Sequence, residues 1–223
     1  MSVLVYKDPA IAGKAAATII AANLMENPYA NIGIAYDSLL EPVFEEISSM
    51  LNSGLFSLQR SRLYQLCEFV PTDENPTGMF QLLYDAFLKN ASLSEEQYVI
   101  PYVPERNWAQ ICSDFENDIL DHGGLDLTLL ALKPDGSVLY NLPGSDLAPV
   151  THVETIAGEK VVSAGMSTIM RSKKILVVAT GDSCADSAVQ TLGGTVNADQ
   201  PFSYLQLHRN ITFIMDEKAA ALL

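Results

Sequence analysis

The chain has 223 residues, 48% hydrophobic and 18% charged, which excludes a disordered or fibrous polypeptide and suits one α/β domain over residues 1–223. Its 27 acidic and 13 basic side chains give a formal net charge of -14, so the mean surface field repels nucleic acid, anionic lipid and phosphorylated metabolites. A phosphate ligand would need a local basic pocket. Cys67, Cys112 and Cys184 are odd in number and lack C-x-x-C spacing, which argues against a disulfide or zinc framework and for a reducing compartment. No apolar run approaches the ~20 residues of a membrane span, and Met1 to Tyr6 lacks a charged leader. These features predict a cytoplasmic protein without nucleic-acid or membrane partners, metal or cofactor.

Short runs of Val, Ile and Leu alternate with longer amphipathic stretches, as when parallel strands are covered on both faces by helices. Val3 to Tyr6 reads as a strand, and Asp8 then caps a helix with Pro9 at its first position and Ala10 to Met25 following. Asn31 to Ala35 is a strand, and Leu40 to Asn52 a helix stopped by Gly54. Leu63 to Val70 is a third strand. Asn75-Pro76 opens a helix through Asn90, Tyr98 to Val103 is a strand, and Glu105 to Asp121 is a helix ended by Gly123-Gly124. Leu125 to Leu132 reads as the buried central strand, with Lys133-Pro134-Asp135-Gly136 a reverse turn after it and Ser137 to Tyr140 a short returning strand. Thr151 to Ile156 and Lys160 to Ser163 form an antiparallel patch around Gly158. Lys174 to Thr180 is β-rich, Ser183 to Leu192 is a helix ended by Gly193-Gly194, and Ile211 to Met215 is the last strand before a C-terminal helix.

The last third carries Gly165-Met166-Ser167-Thr168-Ile169-Met170, then Lys174 to Gly181, then Ser203-Tyr204-Leu205-Gln206-Leu207-His208 and a final strand ending in Asp216-Glu217. Upstream, Leu125-Asp126-Leu127 precedes Asp135-Gly136, Asn141 and Pro143-Gly144-Ser145. In this order the motifs resemble the glucosamine-6-phosphate deaminase and 6-phosphogluconolactonase superfamily, nearer the deaminases, over almost the whole chain. The resemblance implies a modified Rossmann-like three-layer α/β fold with a mainly parallel sheet, of the ribose-5-phosphate isomerase and CoA-transferase type. It also implies a carbohydrate-metabolism context, while activity must be argued at the site.

That family cradles a sugar phosphate with a Thr-Gly-Ser-Thr-Pro type loop; here the loop is Tyr36-Asp37-Ser38-Leu39-Leu40, with a carboxylate at the glycine position. Asp37 would repel a phosphate, and capping the following helix is the plainer role for it. The family's Asp-Glu-Tyr base stretch corresponds to Cys67-Glu68-Phe69; Cys67, with no basic neighbour in sequence, reads as a buried structural thiol and leaves Glu68 as the acid. The Asp-Gly-His run and the Asn-Glu-Pro end of its loop correspond to Asp135-Gly136-Ser137 and Asn141-Leu142-Pro143, so Ser137 and Leu142 replace the family's His and Glu. Asp135 has a sufficient role in the turn. Cys184 stands where the deaminases place a Lys, and Asp146 to Ala164 holds no Arg and is shorter than their lid-bearing segment.

His122 fits a helix C-terminus, His208 an element boundary, and His152 is the one His near the expected cleft; no pair has metal-ligand spacing. Tyr36, Asp37, Ser38, Cys67, Ser137, Asn141 and Cys184 are the candidate cleft residues, and Glu68, Asp135 and His152 the candidate acids and bases. The leading expectation is a protein that keeps the scaffold and binds a different, less anionic small ligand, a sugar derivative among the options, or a protein partner, without the parent turnover. An active isomerase, deaminase or lactonase using Glu68, Asp135 and His152, and a homo-oligomeric assembly subunit, stay open beside it.

Overall fold

The computed structural model describes residues 1–72, 78–102 and 107–223. Among these, seven strands form a parallel sheet in the order β1-β10-β9-β6-β2-β3-β5, and three form an antiparallel sheet in the order β4-β8-β7. The strands are β1 (Ser2–Tyr6), β2 (Asn31–Ile34), β3 (Arg62–Gln65), β4 (Cys67–Phe69), β5 (Tyr98–Val99), β6 (Leu127–Ala131), β7 (His152–Ile156), β8 (Glu159–Ser163), β9 (Ile175–Ala179) and β10 (Ile211–Asp216). The α-helices are α1 (Pro9–Glu26), α2 (Glu41–Asn52), α3 (Gly78–Ala86), α4 (Trp108–Asp121), α5 (Met166–Met170) and α6 (Ala185–Gly193).

The central strand is β6, as its apolar run predicts, and it sends side chains to two cores. Leu127 and Leu129 face one, against α1 and α2; Leu130 faces the other, against α4 and α5. In β9, Leu176 and Val178 join the first core, and Ile175 and Val177 the second. This period-2 division of continuous apolar strands gives the three layers. Helix α1 begins as expected: the Asp8 carboxylate accepts the Ile11 N–H at 2.9 Å, and Pro9 occupies the first turn. His122 closes α4, its Nδ1 2.7 Å from the Asp118 carbonyl, and the His208 Nε2 lies 2.8 Å from the Ser172 carbonyl.

Several boundaries differ from the sequence reading. The run Leu63 to Val70 is not one strand but two, in different sheets. The Leu66 N–H donates to the Ile34 carbonyl in the parallel sheet, while its carbonyl accepts the Ala164 N–H at 2.7 Å, and Cys67 then pairs with Ser163. Ser137 to Tyr140 makes only an isolated bridge, Val138 to Asn141, because Leu139 turns the chain with a φ of 54°. The helix expected from Ser183 starts with a 3-10 turn over Asp182–Cys184, and α3 ends at Ala86 with a 3-10 turn at Leu88–Asn90. Strand β5 is only Tyr98–Val99. The expected C-terminal helix is a set of turns, since the Asp216 carboxylate takes the Ala219 N–H at 2.8 Å and closes the chain tightly. The helix openings at Asn75-Pro76 and Glu105, and the strand end at Val103, lie outside the described residues.

Candidate functional site

Because all seven strands of the large sheet run parallel, their C-terminal ends share one edge, where open α/β folds hold ligands. Strand β2 delivers Tyr36 and Asp37 there, β6 delivers Lys133, and the crossing from β3 to β4 delivers Cys67. With Leu40, Met79, Leu139 and Tyr140 they line a cavity of about 70 Å³. A water molecule claims roughly 30 Å³ and ligand pockets usually exceed roughly 300 Å³, so the space suits a small head group.

Asp37 caps the 3-10 turn Ser38–Leu40, its Oδ1 accepting the Leu39 N–H at 3.0 Å, while Ser38 is exposed. The Tyr36 hydroxyl donates to Glu41 Oε1 at 2.6 Å, and its ring lies 6.5 Å from that of Phe44. This bond, then burial and the charges of Glu41 and Asp37, push the phenol up to about 12. The Lys133 Nζ donates to the Leu139 carbonyl at 3.0 Å and lies 4.7 Å from the centroid of the Tyr140 ring. Leu139 offers that carbonyl from the left-handed region, a conformation costing a branched-chain residue about 1–2 kcal/mol.

The Cys67 thiol is buried, with Sγ 3.6 Å from the Met79 sulfur. Burial pushes it up to about 12; the Lys133 charge works against that rise, and Glu68 and Asp37 add to it. It is therefore a neutral thiol near pH 7, in keeping with a structural role. Glu68, its neighbour in β4, does not line the cavity. Its Oε1 accepts the Met79 N–H at 2.6 Å, and its Oε2 accepts the Phe80 N–H at 2.8 Å and the Gln65 amide at 2.5 Å. The Met79 and Phe80 N–H groups belong to the first turn of α3 and lack helical partners, so Glu68 anchors that helix. Burial outweighs these bonds and raises its carboxyl above the ordinary range. Gly78 is required beside it: its φ is 54°, and an added Cβ would lie 2.3 Å from Glu68 Oε1.

The other candidates are also committed locally. Asp135 Oδ1 accepts the Ser137 N–H at 3.0 Å and the Ser137 hydroxyl at 2.7 Å, which ties the turn after β6. The fully buried Asn141 amide donates to the Val138 and Ala164 carbonyls at 2.8 and 2.9 Å. The buried Cys184 Sγ donates to the Leu132 carbonyl at 3.3 Å. His152 starts β7, with Nδ1 3.0 Å from the Val150 carbonyl and Nε2 3.8 Å from Glu154. None of Glu68, Asp135 and His152 lines the cavity. Among the described residues no cluster of three or more His, Cys, Asp or Glu is placed to hold a metal ion, and no helix is long and apolar enough to cross a membrane.

Sequence reasoning missed Lys133, Met79, Leu139 and Tyr140. Lys133 was legible: a residue just beyond the C-terminal end of a central parallel strand falls at the ligand edge, although its tetrad reads first as a turn. The others reach the cleft from loops and a helix end, which only the tertiary fold brings together. A buried acid was also missed. Glu116 of α4 accepts the Thr151 N–H at 2.9 Å, the Thr151 hydroxyl at 2.6 Å, the Thr168 hydroxyl, and Arg171 Nη2 at 2.6 Å. It pins the start of β7 and the helix α5 to α4.

No family model matches the chain. Full-length similarity is found with glucosamine-6-phosphate deaminases: 28% identity to that of Streptomyces avermitilis, over 99% of this chain and 92% of the relative. Identity to that of Halothermothrix orenii is 27%, over 100% of both chains. In three dimensions the chain is similar to a monomeric glucosamine-6-phosphate deaminase of the NagB superfamily, with a TM-score of 0.93 and 25% identity over 100% of both chains. The fold is also that of 6-phosphogluconolactonase from Trypanosoma brucei, with a TM-score of 0.80 at 16% identity over 100% of this chain and 98% of that one.

Proposed function

The chain belongs to the glucosamine-6-phosphate deaminase and 6-phosphogluconolactonase superfamily, and on that premise we propose that it binds a small ligand less anionic than a sugar phosphate, without the parent sugar-phosphate turnover. The whole chain acts as one cytoplasmic domain, with Tyr36, Asp37 and Cys67 lining the ligand site. Ser38 is exposed in the turn that Asp37 caps, and Ser137, Asn141 and Cys184 bond the adjoining loops to the scaffold. The observation that supports this reading is the cleft itself. Where a phosphate cradle needs small residues and open N–H groups, Asp37 brings a carboxylate, and Tyr36, Leu139 and Tyr140 leave about 70 Å³.

Loss of one acid or base typically lowers a rate by about 10²–10⁴-fold, and here the family's base, His and Glu positions have all changed. Incubation with glucosamine-6-phosphate, read by release of ammonia and fructose-6-phosphate, should give no turnover above background, and the same holds for hydrolysis of 6-phosphogluconolactone. Robust conversion of either overturns the reading. For self-association the β1 edge is the supporting surface, where Val3, Leu4 and Val5 are exposed beside a hollow lined by Leu192, Ala220 and Leu223. Light scattering on wild type and Val5→Lys tests it; a dimer insensitive to the substitution excludes that edge.

A further inference from the structure

We infer that the cleft takes the head group of a small α-amino acid, its carboxylate on Lys133 and its ammonium on Asp37. This rests on the proposal that the cleft is a ligand site, and it names the ligand class. Lys133 and Asp37 line one cavity from the ends of adjacent strands, β6 and β2. They carry opposite charges, yet among the described residues no carboxylate oxygen lies within 4.0 Å of the Lys133 ammonium.

The ammonium has three protons; one is donated to the Leu139 carbonyl, and the Tyr140 ring lies 4.7 Å from the nitrogen, which leaves a proton for a ligand in the cavity that both residues line. Asp37 uses Oδ1 on the Leu39 N–H, which leaves Oδ2 for the cleft. A cation and an anion thus line one small cavity without pairing with each other. A simple anion there meets the Asp37 carboxylate and a simple cation meets Lys133, whereas a zwitterion is attracted at both ends. It is also neutral overall, so the chain's net charge of -14 does not repel it.

Size and lining narrow the class. A buried cavity of about 150 Å³ holds a benzene ring, so about 70 Å³ accommodates a head group and not a hexose phosphate. Leu40, Met79 and Leu139 supply apolar wall, which favours a short aliphatic side chain over a polar one.

Isothermal titration calorimetry on the full chain with glycine, L-alanine, acetate and methylamine tests the assignment. Glycine or L-alanine is expected to bind at least ten-fold more tightly than acetate and methylamine, each of which carries one of the two charges. Lys133→Met and Asp37→Asn, checked for native circular dichroism, are each expected to weaken the amino acid at least ten-fold. Absence of binding by both amino acids overturns the inference, as does acetate binding as tightly as L-alanine. An unchanged affinity in a folded Lys133→Met protein does so too. The comparison among probes on the wild-type chain needs no variant, so a misfolded variant does not shelter the idea. Deamination of glucosamine-6-phosphate would instead overturn the parent proposal, and the two failures are read in separate assays.

Discussion

Replacing Glu116 by alanine removes one acceptor from four donors at once. Thr151 and Thr168 are 4% and 2% exposed, so neither hydroxyl can turn to bulk water, and the Thr151 N–H is equally enclosed. A buried donor left without a partner costs about 1–3 kcal/mol. The half-exposed Arg171 regains water, and its ion pair adds only about 0–1 kcal/mol. Rotation of the hydroxyls and entry of water recover part of the loss, so the expected destabilisation is about 3–5 kcal/mol. For a chain of this size that lowers the melting temperature by roughly 6–20 °C, at about 2–4 °C per kcal/mol. Urea unfolding followed by circular dichroism measures it, and amide hydrogen exchange should show Thr151 losing protection as the start of β7 loosens from α4. Glu116→Gln keeps one carbonyl oxygen for the threonines and should lose less than the alanine variant. An alanine variant within 1 kcal/mol of wild type, with Thr151 still protected, would refute the view that this carboxylate fastens the start of β7 and helix α5 to α4.

The raised carboxyl of Glu68 gives a pH signature. Burial raises its folded value above the ordinary 4.5, so between 4.5 and that value the folded chain binds more proton than the unfolded one, and stability falls as pH rises. Glu68→Gln removes this contribution; the unfolding free energy of wild type minus that of the variant should therefore fall as pH increases from about 4.5, and a difference that grows instead contradicts the assignment. Gly78→Ala combines a φ of 54° with a Cβ driven against Glu68, and should cost at least about 2 kcal/mol in urea unfolding; a neutral result removes the anchor described for α3. Native thiol labelling at pH 8 should reach the partly exposed Cys112 first, because Cys67 and Cys184 are buried and Cys67 at about 12 is ionised on the order of one part in ten thousand. Mass spectrometry showing Cys67 modified before unfolding would contradict this.

The parallel core was legible because its strands are continuous apolar runs bounded by caps and turns; Leu127 to Ala131 needs no partner to be recognised as buried. The break at Leu66 was not, since β-propensity runs unbroken from Arg62 to Phe69 and the division comes from Ala164 arriving at the Leu66 carbonyl. At the site, Asp37 and Cys67 could be marked because each follows a strand of the sheet. His152 could not be judged from sequence, because its distance from the cleft depends on how β7 pairs with β8 and β8 with β4. Lys133 was obscured by the good turn that begins with it.

The candidate site residues that lie outside the cavity are bonded within the fold. Ser137 is bonded to Asp135, the Cys184 thiol donates to the Leu132 carbonyl, and Glu68 holds the first turn of α3. Each of these side chains is committed to the scaffold. A larger side chain at such a position would compete with a bond that the fold uses: a histidine at 137 would enter a site where the serine is 1% exposed, and overpacking of this kind costs about 1–3 kcal/mol. The charged groups that line the cleft instead come from the ends of β2 and β6, in Asp37 and Lys133. On the proposed reading, Asp37 and Lys133 supply the two opposite charges that a small zwitterion needs, while Glu68, Asp135 and Ser137 are held by the scaffold.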